Sequence, residues 1–176
     1  WDVDIMLHTL LAGDGWIEGG VLLAPAALRD GRVCRNGSRA MEPRHQVSRA
    51  GIELIKGFEG YRRRAAQLAD GRWTIGYGHL RSAREGAEVS EGDAEALLRY
   101  DLRAVEAAVN RLVFTPLTQN QFDALVAFAF NIGVDAFRRS NVLRRLNEGR
   151  MLEAASALES WRRAEFEGEP LVVDAL

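Results

Sequence analysis

The chain has 176 residues, 47% apolar and 27% charged, with 17 Gly, 4 Pro and a single Cys. This composition fits an ordinary globular domain and excludes a chain disordered as a whole, a collagen-like repeat and a disulfide framework. Twenty-three basic against 25 acidic residues leave a net charge of −2, which gives no global argument for nucleic acid, and charge-free stretches such as Gly19–Leu28 fall far short of the roughly 20 apolar residues that span a bilayer.

Residues 1–40 carry turn signals at Asp14-Gly15, Gly19-Gly20 and Asp30-Gly31, with short apolar runs but no sustained period of 2 or 3.6. They read as an N-terminal extension, either hairpin-bearing or poorly ordered, with Met41 as a natural start; no signal-peptide pattern is read there. A single domain over 41–176 follows. From Ser48, a good N-cap, the residues Ile52, Leu54, Ile55 and Phe58 share one helical face, predicting a helix from Ser48 to Glu59 that Gly60 ends. Next, Asp70-Gly71 marks a hairpin turn, after which Trp73, Ile75 and Tyr77 alternate with Thr74, Gly76 and Gly78. Bulky side chains on one face imply a core. The hydroxyl and the two bare positions on the other imply a surface open to close approach.

Ser90 and Asp93 form a capping pair that opens a helix to about Val113, striped by Leu98, Leu102, Val105, Val109 and Leu112. Thr118 with Gln121 opens another, which Asn131-Ile132-Gly133 ends and whose Phe122, Leu125, Val126 and Ala129 are core. A short helix after Ser140 and one from Met151 to Arg163, separated by Gly149, complete an α+β layout with a cleft at the junction of two lobes.

Glu59 at its helix end and Thr74 on the hairpin both lie near the exposed backbone of the 74–79 run, where a carboxyl could act on a long substrate. Glycoside hydrolysis asks for two carboxyl groups: an acid that protonates the leaving oxygen, and a second group that activates water or attacks the sugar. His8, His45 and His79 are too dispersed for a metal site, and no cofactor is implied. His79 reads as a hydrogen-bonding support for the hairpin, and Arg62-Arg63-Arg64 as a solvated strand.

The run Glu53-Leu-Ile-Lys-Gly-Phe-Glu59-Gly-Tyr-Arg, followed by Trp73-Thr-Ile-Gly-Tyr-Gly-His79, closely resembles the signature of phage-type lysozymes, the muramidases of glycoside hydrolase family 24. The resemblance continues through Gln121-Phe-Asp-Ala-Leu-Val, Phe128-Ala-Phe-Asn-Ile-Gly133, Leu143-Arg-Arg-Leu-Asn-Glu-Gly149 and Trp161. It covers about residues 44–170. It implies a lysozyme-like fold with a small β-hairpin lobe and a larger helical lobe joined by a long helix, and peptidoglycan glycan strands in the cleft. It also implies catalytic roles for Glu59, as general acid, and Thr74, which holds water, and substrate contact for Leu80 and Phe130. Family members carry an aspartate nine residues after the glutamate, where this chain has Leu68; Asp70, two residues further on, is the nearest carboxylate. A two-residue offset moves a strand side chain by about 6.6 Å, and Asp70 already has a reason to exist as a turn residue.

The Ala65-Ala66-Gln67-Leu68 run looks closer still to the muramidase-like domains of the SpmX type, polar scaffolding factors of stalked bacteria. That likeness implies a domain turned from cutting cell wall towards localisation and partner binding, with a polar histidine kinase or other scaffold proteins as partners. It also implies a bacterial setting, cytoplasmic or associated with the cell envelope. The chain stops at Leu176, before the paired arginines that lysozymes of this group usually carry near their C-terminus, which leaves a C-terminal truncation of the domain as one reading. Two readings stand: a degenerate scaffold with weak or absent activity, and an active muramidase that cleaves the β-1,4 bond between N-acetylmuramic acid and N-acetylglucosamine.

Overall fold

The computed structural model describes residues 45–167, with side chains through Trp161; the expected extension over residues 1–40 lies outside the described residues. The elements are α1 (Arg49–Glu59), β1 (Arg62–Gln67), β2 (Trp73–Gly76), α2 (Glu91–Leu112), α3 (Gln119–Ile132), α4 (Val134–Arg139), α5 (Asn141–Asn147) and α6 (Met151–Glu167). This is an α+β molecule with one two-stranded antiparallel sheet.

Local chemistry sets the helix starts. Ser48 Oγ accepts from the Gly51 amide at 3.1 Å, Ser90 Oγ from Asp93 at 3.1 Å, and Thr118 and Gln121 close a reciprocal capping box. Each bond satisfies an amide that the first turn leaves without an intrahelical partner. At the other end of α1, Gly60 takes φ 68° and its amide returns to Lys56 O, so the chain leaves the helix immediately after Glu59.

The start of α1 is anchored more deeply than a cap requires. Asp123, buried in α3, accepts from the Ser48 amide at 3.0 Å, from the Ser48 hydroxyl, and from Gln119 Nε2 at 2.8 Å. The preceding strap is held by side chains as well: Val47 N donates to Glu106 at 2.8 Å, and His45 exchanges two bonds with Asn110. Only glycine fits at position 51, where a Cβ would stand 2.6 Å from Asp123 Cγ and 2.7 Å from Val47 Cγ1. Helices α1 and α3 approach closely there.

The core is one cluster, with Ile52 and Ile55 of α1, Leu98, Leu102 and Val109 of α2, Phe122, Leu125 and Val126 of α3, Phe137 of α4 and Leu146 of α5 each no more than 2% exposed. Burying each such side chain is worth about 1.5–3 kcal/mol. Trp161 on α6 closes the cluster by packing edge-on against Phe128, ring centres 5.5 Å apart.

In the hairpin, Arg62 pairs with Gly76, Ala66 with Thr74 and Gln67 with Trp73, with an irregularity between Arg62 and Ala66. On its other side β1 bonds to residues 87–89, through Ala65 N to Ala87 O and Val89 N to Arg63 O. The face expected to be open is closed. Thr74 is 7% exposed, and the bare position at Gly76 is taken up by Ala94 of α2, whose Cβ lies 3.0 Å from where a Gly76 Cβ would be. What approaches there is the long helix, because a two-stranded sheet buries little by itself and α2 covers it.

Two further differences concern helices. Val134–Arg139 forms a six-residue helix that the sequence reading left unassigned, and α6 runs to Glu167 rather than ending near Arg163.

Candidate active site

Glu59 ends α1 half-buried, with Gly60 turning the chain away beneath it. Its carboxylate faces Gly78, where a Cβ would lie 3.2 Å from Glu59 Oε2 and where φ is 86°. A side chain at position 78 would crowd the carboxylate, so the second glycine of the hairpin run does admit a close approach, by Glu59 itself. Among the described residues no hydrogen bond or ion pair engages that carboxylate, and burial pushes its pKa above the usual carboxylate range. Removal from water penalises the charged form.

Around Glu59 lies an open cleft of about 360 Å³ lined by Gly78, Leu80, Arg81, Asp101, Phe130 and Asn131. The structure therefore brings together three of the residues singled out in the sequence: Glu59, Leu80 and Phe130. Leu80, 39% exposed, comes from the loop after the hairpin, and Phe130 from the last turn of α3. Thr74 and Asp70 are not among the lining residues.

Asp70 sits at the hairpin tip. Its Oδ1 accepts from the Arg72 amide at 3.0 Å and its Oδ2 from Arg72 Nε at 2.7 Å, while Leu68 N donates to Arg72 O and Gly71 N to Leu68 O to close the turn. The Arg72 guanidinium and amide hold the Asp70 carboxyl below the usual range. An Asx turn with an ion pair accounts for this aspartate. Leu68, half-buried at the base of the turn, offers no lone pair to a water.

Four cleft residues were not anticipated: Gly78 as a contact of the carboxylate, Arg81, Asp101 and Asn131. Asp101 accepts from His79 Nδ1 at 2.7 Å, and His79 Nε2 receives both the Ser82 amide at 3.2 Å and the Ser82 hydroxyl at 2.9 Å. Because Nε2 accepts from an amide, the ring proton resides on Nδ1 and is donated to Asp101. His79 is 3% exposed and ties the hairpin lobe to α2, the supporting role expected of it. Arg63 and Arg64 pair with Glu88 and are otherwise solvated.

Comparison with known proteins agrees with this fold. The phage lysozyme family model matches residues 56–176. The endolysin of Acyrthosiphon pisum secondary endosymbiont phage 1 is 42% identical over 123 residues, covering 70% of this chain and 84% of that protein. The endolysin of Bacillus phage PZA is 45% identical over 122 residues, and the match spans 68% of this chain but 47% of the relative's length. Among solved structures, the muramidase domain of SpmX from Asticaccaulis excentricus is 67% identical with a TM-score of 0.66, covering 67% of this chain and 80% of that one.

Proposed function

Because the chain belongs to the phage lysozyme family, we propose that its domain, over residues 41–176, holds peptidoglycan glycan strands in the cleft beside Glu59, cuts them weakly or not at all, and serves cell-wall or protein binding at a cell pole. The observation that carries this reading is Leu68 together with the engaged state of Asp70. The family mechanism needs a carboxylate nine residues after Glu59. Leucine supplies none; Asp70, the carboxylate nearest to it in sequence, is bound to Arg72 at the tip of its turn, and Asp101 in the cleft lining is engaged by His79 Nδ1. A positioned base or acid contributes about 10²- to 10⁴-fold, so its loss leaves a binding cleft with little turnover. Leu80 and Phe130 would border the sugar, and a polar histidine kinase or another scaffold protein is the class of partner in keeping with a repurposed domain.

A second reading, an active muramidase, draws on Glu59 itself. A carboxyl whose pKa is raised by burial keeps its proton to higher pH, as a general acid toward the glycosidic oxygen must. Thr74 would then hold the attacking water.

Release of soluble fragments from purified sacculi by the whole chain and by Glu59→Gln separates the two. Sedimentation of both proteins with sacculi, and parent turnover within about tenfold of the Glu59→Gln rate, is the expected result. A parent rate about 10²- to 10⁴-fold above the variant would establish the muramidase.

A further inference from the structure

One feature beside the cleft has no part in the chemistry above. Tyr100 on α2 is 49% exposed, next in sequence to the cleft residue Asp101. Two arginines converge on it: Arg81 Nη1 donates to the Tyr100 hydroxyl at 3.1 Å, and the Arg103 guanidinium lies 5.9 Å from the centre of the Tyr100 ring. Arg81 belongs to the loop after the hairpin and also lines the cleft. Neither arginine forms a salt bridge among the described residues, although the neighbouring Arg99 is paired with Glu95 at 2.8 Å. An exposed aromatic ring held between two cations, neither of them in a salt bridge among the described residues, forms a platform for an anionic group with an apolar flank.

The charge of the cleft says which part of a ligand belongs there. Its titratable lining comprises two carboxyls, Glu59 and Asp101, and one cation, Arg81. A glycan strand is uncharged along its sugars, but each muramic acid bears a short peptide rich in carboxylates. Beside Glu59 and Asp101 such a peptide is repelled; at Arg81 and Arg103 it is attracted. Resting on the peptidoglycan reading of the cleft, we propose that the Arg81–Tyr100–Arg103 rim binds the carboxylates of these stem peptides and so fixes which way, and in which register, a strand lies past Glu59. Arg81 joins the two parts, with one side on the cleft and the other on the rim.

The test titrates the whole chain with soluble glycan strands that retain their stem peptides and with strands stripped by an amidase, which leaves a single lactyl carboxylate on each muramic acid in place of the several of the peptide, for the parent and for the Tyr100→Leu/Arg103→Gln double variant. Exposed charge pairs contribute modestly, so the parent should bind peptide-bearing strands roughly 3- to 10-fold more tightly, and added salt should erode that advantage. The double variant, which keeps Arg81, should show a smaller preference for peptide-bearing strands than the parent. Equal parent affinities for the two strands, or a preference that survives undiminished in the variant, overturns the rim assignment and leaves the cleft reading in place. Binding of neither strand overturns the cleft reading, and the rim assignment with it. Tight binding of poly-L-glutamate, lost in the double variant and without any strand preference in the parent, assigns the rim to an acidic protein partner instead and likewise overturns the proposal.

Discussion

Glu59 lies at the C-terminal end of α1, beside a glycine whose missing side chain makes room for its carboxylate and with no basic partner among the described residues. Such a placement costs stability. A carboxyl whose folded-state pKa is raised above its unfolded value loses its proton first in the unfolded chain. Its contribution therefore falls as pH climbs from the unfolded value through the folded one. Glu59→Gln removes that penalty, so its thermal midpoint at pH 7 should exceed the parent's. The gain should vanish below about pH 4, where both states are protonated. A calorimetric pH series checks this, and a midpoint at or below the parent's at pH 7 contradicts it. The glutamate itself was legible in the sequence as a carboxyl at a helix end followed by glycine. Asp101 was not, since its position beside Glu59 depends on how α2 crosses behind the hairpin, which no local pattern encodes.

Helix α1 owes its position to both of its ends. Lys56, near its C-terminus, reaches Glu95 of α2 at 3.1 Å and lies 5.5 Å from the Tyr77 ring centre, while its N-terminus rests on Asp123 through Ser48. The closest approach is at Gly51, so Gly51→Ala should drive Asp123 and Val47 apart and weaken the Ser48 bonds. Overpacking of this kind costs about 1–3 kcal/mol, and the bond loss places it toward the upper end, beyond the ~1 kcal/mol that alanine gains in helix propensity. A net destabilisation in denaturant titration is expected; an unchanged or higher midpoint would show that α1 can shift freely. At this scale the sequence was most informative where signals are local. Ser48, Ser90 and Thr118 start their helices as expected because a cap needs only the next three residues. Val134–Arg139 was missed because six residues with one buried side chain, Phe137, carry no period. The sheet face bearing Thr74 was read as open because alternation identifies two faces but cannot say that α2 covers the second.

For the whole molecule, residues 45–161 already contain a closed core and no buried side-chain polar atom without a partner. A chain beginning at Met41 should therefore fold, with a thermal midpoint within about 8 °C of the full chain's. A larger drop would mean that residues 1–40 supply part of the core and that the domain boundary is misplaced. In the proposed reading, a lysozyme scaffold keeps its acid at Glu59 and lacks only the group at position 68. The most direct measurement is the release of fragments from purified sacculi by the parent, Leu68→Asp and Asp70→Asn, side by side. Leu68 is only half-buried, so an aspartate there does not leave a charge sealed in the core, and the fold should survive. Leu68→Asp should raise the rate by about 10²-fold or more, and Asp70→Asn should leave the parent rate unchanged. A parent rate abolished by Asp70→Asn and not raised by Leu68→Asp would make Asp70 the working base, and the domain an enzyme rather than a scaffold.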